Sequence, residues 1–134
     1  MRCIYCGGDT QVINSRHQKR LNRVWRRRKC LECGAVFSTG ESADYAAAWR
    51  VRTATGKLRP FSRNQLLLSL YKSLEYRKSA LSDAEALLDT IISGLQPQVI
   101  QGALEIATIR EMTLLTLQNF DKAAGVSYGA FHSD

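Results

Sequence analysis

Past residue 33 the chain has no cysteine, and its 134 residues hold only two prolines and two histidines. It also lacks any run of eighteen apolar residues, so no membrane-spanning helix is expected. There is no internal repeat, low-complexity tract or proline-rich linker. A glycine-rich loop closed by Lys-Ser/Thr is absent, which removes the commonest phosphate-cradling motif of nucleotide hydrolases. His17 and His132 lie far apart in sequence; the first is read as a solvated or phosphate-facing turn residue, the second as surface. The best-placed serines, Ser62 and Ser82, read as helix caps. With none of these parts in hand, the chain is not expected to be an enzyme. No apolar signal segment precedes Cys3, so a reducing, cytoplasmic setting is expected.

What the chain does have is concentrated at its start. Cys3-Ile4-Tyr5-Cys6-Gly7 is followed after twenty-two residues by Cys30-Leu31-Glu32-Cys33-Gly34, and these are all the cysteines. Four soft thiolates at this spacing close a tetrahedron around Zn²⁺ and leave no open position for chemistry, so the site is structural. Iron is the other occupant that an all-thiolate set accepts. The glycine after each pair suits a tight knuckle whose backbone N–H groups turn toward sulfur. Two disulfides are the alternative, in any of three pairings, but the expected compartment disfavours them. A redox role needs a surrounding fold that so short an N-terminal stretch does not supply.

The length suits a small metal-stapled module followed by a domain of roughly ninety residues. Residues 1–40 contain nine Lys or Arg against two acids, whereas residues 41–134 contain ten of each, so the whole net charge of +7 resides in the first module. Four thiolates and one Zn²⁺ bring that module to about +5, still suited to a polyanion.

Within the module, Thr10–Arg16 and Val24–Lys29 read as antiparallel strands around a polar turn, and Ala35–Thr39 as a third with Phe37 packed beneath. Period two places Val24, Arg26 and Arg28 on one face and Trp25, Arg27 and Lys29 on the other. Both faces are basic. A charged run is often only solvated, but this one is stiffened by a metal knuckle, includes Trp25 and favours Arg, the residue for bidentate phosphate or guanine contact. Double-stranded DNA is the expected partner. One small module covers too little DNA for high specificity, so a homo-oligomer is expected.

The small-residue stretch 41–48 reads as a linker. Beyond it, Trp49–Thr53 and Lys57–Phe61 form a hairpin around Ala54-Thr55-Gly56. A helix then opens with Ser62 and Gln65 as capping box and Phe61 and Leu66 as hydrophobic staple. A second is expected from a box at Ser82 and Glu85 to a stop at Gly94 and Pro97, and a third from a box at Thr108 and Glu111. The third carries apolar residues around more than one face, so it belongs at the centre or at a subunit contact. The form of the tail from Ala123 is left open. The fold class is therefore α+β: a three-stranded zinc ribbon at 1–40, a linker at 41–48 and a mainly helical domain with a short hairpin at 49–134.

The ribbon with Val12-Ile13-Asn14-Ser15-Arg16, Arg26-Arg27-Arg28-Lys29-Cys30-Leu31-Glu32-Cys33-Gly34 and Phe37-Ser38-Thr39, together with Phe120-Asp121-Lys122-Ala123 near the end, resembles the NrdR family. That family comprises bacterial transcriptional repressors of ribonucleotide reductase genes. The resemblance implies a DNA-binding zinc ribbon joined to an ATP-cone, a domain whose oligomeric state responds to ATP or dATP. It implies Cys3, Cys6, Cys30 and Cys33 as metal ligands, and Arg16, Arg26, Arg27, Arg28 and Lys29 as the residues facing DNA. The cone departs from the family pattern Val-x-Lys-Arg-x-Gly, because Thr53 and Ala54 stand at the basic pair and Gln65 at a later lysine. Arg50, Arg52, Lys57 and Arg59 are the expected substitutes for holding nucleotide, with Gln65 beside them and the N-terminus of the first helix in support. The missing cations also motivate a different class, a protein-interaction module whose cone no longer takes nucleotide.

Overall fold

The computed structural model describes residues 1–132, which fall into two compact units, Met1–Ala43 and the chain from Asp44 onward. In the first unit, β1 (Thr10–Gln18), β2 (Arg23–Cys30) and β3 (Val36–Ser42) form an antiparallel sheet with β2 in the middle. Strands β1 and β2 run past their expected limits, whereas β3 starts one residue later than expected and ends three later. Lys19–Leu21 makes one 3₁₀ turn between β1 and β2, and Asn22 closes it in the left-handed region at φ 48°, a conformation that asparagine tolerates better than most side chains. A bulge at Ile13 shifts the register between Val12, opposite Arg28, and Asn14, opposite Arg27. The buried core of this unit is only Cys3, Cys30 and Phe37, with Ala35 packed against it. Phe37 thus sits beneath the sheet as its sequence position suggested.

The 41–48 stretch, read as a linker, is built. Glu41 and Ser42 finish β3, and Asp44 caps the short helix α1 (Tyr45–Ala48) by accepting a 3.1 Å hydrogen bond from the Ala47 N–H. The second unit continues with β4 (Arg50–Arg52), β5 (Leu58–Pro60), α2 (Arg63–Leu74), α3 (Ala80–Leu95), β6 (Ala103–Glu105), α4 (Ile106–Phe120) and α5 (Lys122–Phe131). The hairpin β4–β5 forms as expected, but β6 adds a parallel third strand on the other side of β4, register Arg50–Ala103 and Arg52–Glu105. Three residues are too short for period two to reveal a strand.

Helix α2 begins where the pattern places it. Ser62 Oγ accepts from the Gln65 N–H at 3.1 Å, and both staple residues, Phe61 and Leu66, are buried. The other two expected starts are corrected. Helix α3 begins at Ala80 rather than at the Ser82 box: Ser79 Oγ donates to Asp83 at 2.6 Å, and Ser82 Oγ donates to the Ser79 carbonyl from inside the first turn. Its buried stripe accordingly starts with Ala80 and Ala84 and continues through Leu87, Leu88, Ile91, Ile92 and Leu95. Gly94 lies inside the helix, and the stop comes at the 3₁₀ turn Gln96–Gln98 that holds Pro97. Helix α4 begins at Ile106, not at the Thr108 box, because β6 runs straight into it and Glu105 is already tied to Arg52.

Leu70, Leu74, Leu88, Ile91, Leu95, Leu104 and Leu117 are the fully enclosed heart of this unit. Helix α4 packs on both α3 and α5, burying Ile109, Thr113 and Leu117 while Leu115 remains exposed. The open tail resolves into α5, capped by Asp121 through the Ala123 N–H at 2.9 Å. Gly125 of α5 is there for space: an added Cβ would stand 2.5 Å from Gln118 Cγ and 3.2 Å from its Cα.

One ionic tie joins the ends of these helices. Arg77, after α2, donates through Nε to Asp83 of α3 and through a terminal nitrogen to Asp121 at the α4–α5 corner, each at 3.0 Å, and its guanidinium lies 4.9 Å over the Phe120 ring. The Ser79 hydroxyl, then Arg77, holds the Asp83 carboxyl below its ordinary range; the Tyr76 hydroxyl, then the Ala123 N–H and Arg77, does the same for Asp121. A carboxyl depressed in the folded state contributes stability above its unfolded pKa, and that contribution disappears as pH falls through the depressed value. The urea midpoint of this unit, followed by the Leu88 methyl signals, should therefore fall on acidification below about pH 4. Arg77→Met should start lower and show a flatter fall; an equal slope in both proteins would show that the tie is energetically silent.

Candidate metal centre and nucleic-acid interface

Each knuckle brings two sulfurs together through its own backbone. The N–H of Gly7 donates to the Cys3 carbonyl at 3.0 Å and that of Cys3 to the Gly8 carbonyl at 2.8 Å; Gly7 and Gly34 take φ of 76° and 74°, the left-handed conformation that requires glycine. The Leu31 N–H donates to the Asp9 carbonyl at 2.9 Å, docking one knuckle on the other.

The four Sγ atoms lie within 4.8 Å of one another, with Cys3–Cys33 at 3.7 Å and Cys6–Cys30 at 3.5 Å. A disulfide needs about 2.05 Å, so all four are thiols and the disulfide alternative fails. A tetrahedron with Zn–S of about 2.3 Å has edges near 3.8 Å. The sulfur cage fits the ion.

Backbone N–H groups converge on the same sulfurs: Tyr5 on Cys3, Gly8 on Cys6, and both Glu32 and Cys33 on Cys30, all at 3.4 Å. These donors favour thiolate. The Cys33 N–H, followed by that of Glu32, pulls Cys30 down to about 6. At Cys6 the Gly8 N–H pulls downward too, but hydrogen bonds shared with Cys30 and Cys33 outweigh it and push the thiol up to about 12. Four sulfurs this close cannot all carry charge unaided. A divalent cation held by the four sulfurs would relieve that conflict and tie the two knuckles together.

The arginine strand is sorted by its register. Arg16 stands directly opposite Trp25, its guanidinium 5.7 Å over the indole. Arg27 and Lys29 are exposed. Arg26, on the alternate face, is in a 2.5 Å ion pair with Glu41. Arg28 is half-buried, donates to Thr10 Oγ1 at 3.3 Å and keeps its Nε buried without a hydrogen-bond partner. The five cations expected to face DNA are thus not one group.

Nor are the cations of the second unit. Arg50 and Arg52 oppose Pro60 and Leu58, whereas Arg59 opposes Val51 on the other face of the hairpin. Arg50 donates to the Ala46 carbonyl at 3.1 Å, and Arg52 Nε to Glu105 at 3.0 Å. Lys57 is exposed at the turn, where the Thr53 hydroxyl, at the position of a family cation, accepts from the Lys57 N–H at 3.1 Å. Arg52 lines an open cavity of about 470 Å³ with Thr53, Ala54, Glu105, Arg110 and Glu111, whose charges balance. Arg59 and Gln65 line a smaller one of about 150 Å³ with Arg110, Tyr128 and His132.

Sequence reasoning missed Arg110, the one charged residue common to both cavities. It lies in the second turn of α4, about fifty residues past the hairpin, with no local motif to mark it. His132, read as surface, is half-buried; its ring stacks on Tyr128 with centroids 4.1 Å apart, and its Nδ1 lies 3.0 Å from the Tyr128 carbonyl. His17 is exposed at the end of β1.

Residues 1–41 match the family described as the transcriptional repressor NrdR-like N-terminal domain, a zinc ribbon. Over nearly their full lengths, proteins named transcriptional repressor NrdR are similar to the whole chain. That of Heliobacterium modesticaldum is 34% identical over 133 residues, covering 98% of this chain and 86% of its own. That of Thermosipho melanesiensis is 34% identical over 134 residues, 99% of this chain and 85% of its own. That of Rhodospirillum centenum is 34% identical over 137 residues, covering this chain entirely and 86% of its own.

With so small a core, the first unit should depend on its metal and the second should not. Excess EDTA, or Cys30→Ser, should abolish zinc stoichiometry and collapse the dispersed amide signals of Val12 and Arg28, leaving the Leu88 methyl signals in place. A ribbon that keeps its amide dispersion without metal would refute the dependence.

Proposed function

The chain belongs to the NrdR family of transcriptional repressors, and from that premise we propose that it is a zinc-dependent, DNA-binding repressor acting as a homo-oligomer. The observation that carries this is the union of a sulfur cage of ion-sized dimensions with a rigid sheet holding the chain's entire charge excess. Zinc, held by Cys3, Cys6, Cys30 and Cys33, stabilises the sheet. Of the five residues expected to face DNA, Arg16, Arg27 and Lys29 supply its outward positive field, Arg26 being paired with Glu41 and Arg28 half-buried, and duplex DNA is the ligand that field selects. Residues 1–40 are the DNA-binding domain, and the domain from 49 onward joins copies together and carries regulation. Genes of ribonucleotide reductase are the targets by family membership.

ATP or dATP is the regulatory input in this proposal, with Arg59, Gln65 and Arg110 around one cavity and Arg52 at the other as the groups for phosphate. A second reading rests on a specific observation: Arg52 is already paired with Glu105, Arg50 bonds a backbone carbonyl, and Thr53 is spent on its own turn. On that reading the second domain is a protein-interaction module that has lost nucleotide control.

Calorimetric titration of the zinc-loaded protein with ATP and dATP, with mass followed by light scattering, decides between them. Heat of binding with a change in mass supports nucleotide control; no heat from a folded protein establishes the interaction module instead. Binding of mixed-sequence duplex DNA tests the shared part. Log affinity should fall linearly with log salt, at about −0.9 per phosphate neutralised, and zinc removal should abolish it. Salt-insensitive binding would overturn the repressor reading.

A further inference from the structure

The strand register separates the basic residues into two classes that the sequence run Arg26-Arg27-Arg28-Lys29 conceals. Directly paired residues share a face of an antiparallel sheet. One face of this sheet therefore carries Arg23, Trp25, Arg27 and Lys29 from β2, with Asn14 and Arg16 opposite Arg27 and Trp25. Its partners on β3 are Ser42, Gly40, Ser38 and Val36. That face has four cations and no acid. The other face holds Cys30 and Phe37 at the metal end, and there Arg26 is neutralised by Glu41 and Arg28 is drawn half-buried against Thr10.

We propose that the face of Arg16, Trp25, Arg27 and Lys29 is the one that meets duplex DNA, while Arg26 and Arg28 serve the ribbon itself. This rests on the DNA-binding repressor reading above and names the surface it uses. The β1–β2 pair of this three-stranded sheet carries all four cations, and a β-ribbon is an element that the major groove, about 12 Å wide, admits. Along β2 the exposed cations Arg27 and Lys29 stand two residues, about 7 Å, apart, and Arg16 is held over Trp25 rather than left to swing. The cross-strand pair Asn14 and Arg27, both exposed, sets an amide and a guanidinium side by side at the centre of this face. Those are the groups that make paired hydrogen bonds to adenine and to guanine edges. Arg16 and Lys29 flank them and hold phosphate.

The test compares variants of the zinc-loaded full chain by fluorescence anisotropy on a mixed-sequence duplex, between about 50 and 200 mM salt. Arg27→Ala and, as a second exposed position on the same face, Lys29→Ala should each lose roughly tenfold in affinity and flatten the salt slope by about one. The double variant Arg26→Gln with Glu41→Gln keeps the net charge and should stay within twofold of the parent. If that double variant, with its metal intact, loses as much as Arg27→Ala, the inference is overturned although the protein is still a DNA binder. If the parent itself does not bind duplex DNA, the repressor reading falls and this surface with it. Selection from randomised duplexes gives an independent readout. Asn14→Ala should lose base preference at one position of the selected sequence; an unchanged selection removes the base-reading role of Asn14.

Discussion

Four sulfurs held within 4.8 Å of one another are the constraint on which the first unit depends. The backbone brings them there and offers N–H groups to them, but thiolates so close repel, and thiols so placed waste the donors aimed at them. Only a cation at the centre satisfies both. The buried apolar residues around it amount to Cys3, Cys30 and Phe37, far short of a self-sustaining core. The proposed ion would then hold three strands in register, and register is what decides where each arginine points. Charge, metal and sheet are one device.

The second unit is held by ordinary means. Leucines and isoleucines of α2, α3 and α4 enclose one another, and the Arg77 tie with Asp83 and Asp121 pins the helix ends where the apolar stripes run out. Its hairpin is a more delicate matter. A triphosphate needs several cations converging on one spot, yet strand pleating sends Arg50 and Arg52 to one side and Arg59 to the other. Arg110 is the residue placed to compensate, since it reaches both cavities from α4. Glu105 and Glu111 oppose Arg52 and Arg110 there, so the larger cavity carries no excess positive charge.

The parts of this architecture legible in sequence were those whose cause is local. Cysteine spacing, the glycines at φ near 75°, the Ser62 cap and the apolar stripes of α2 and α3 all report interactions between residues a few positions apart. The boxes at Ser82 and Thr108 misled for the same reason. Each satisfies the local rule, but α3 starts where Asp83 is held by Ser79 and Arg77, and α4 where β6 delivers the chain. The strand β6 escaped notice because its stability lies in pairing with β4, about fifty residues away in sequence.

By itself the sequence determined the four-cysteine cluster, the location of the charge and the α+β class, because cysteine spacing, composition and hydrophobic period act along the chain. Tertiary structure alone decided which cations remain available. Glu41 closes on Arg26 from β3, Thr10 engages Arg28 from β1, Glu105 takes Arg52 from β6, and Trp25 receives Arg16 across the sheet. Each pairing depends on distance in space, and a guanidinium already facing an acid or drawn into the sheet is not the same reagent as one facing water.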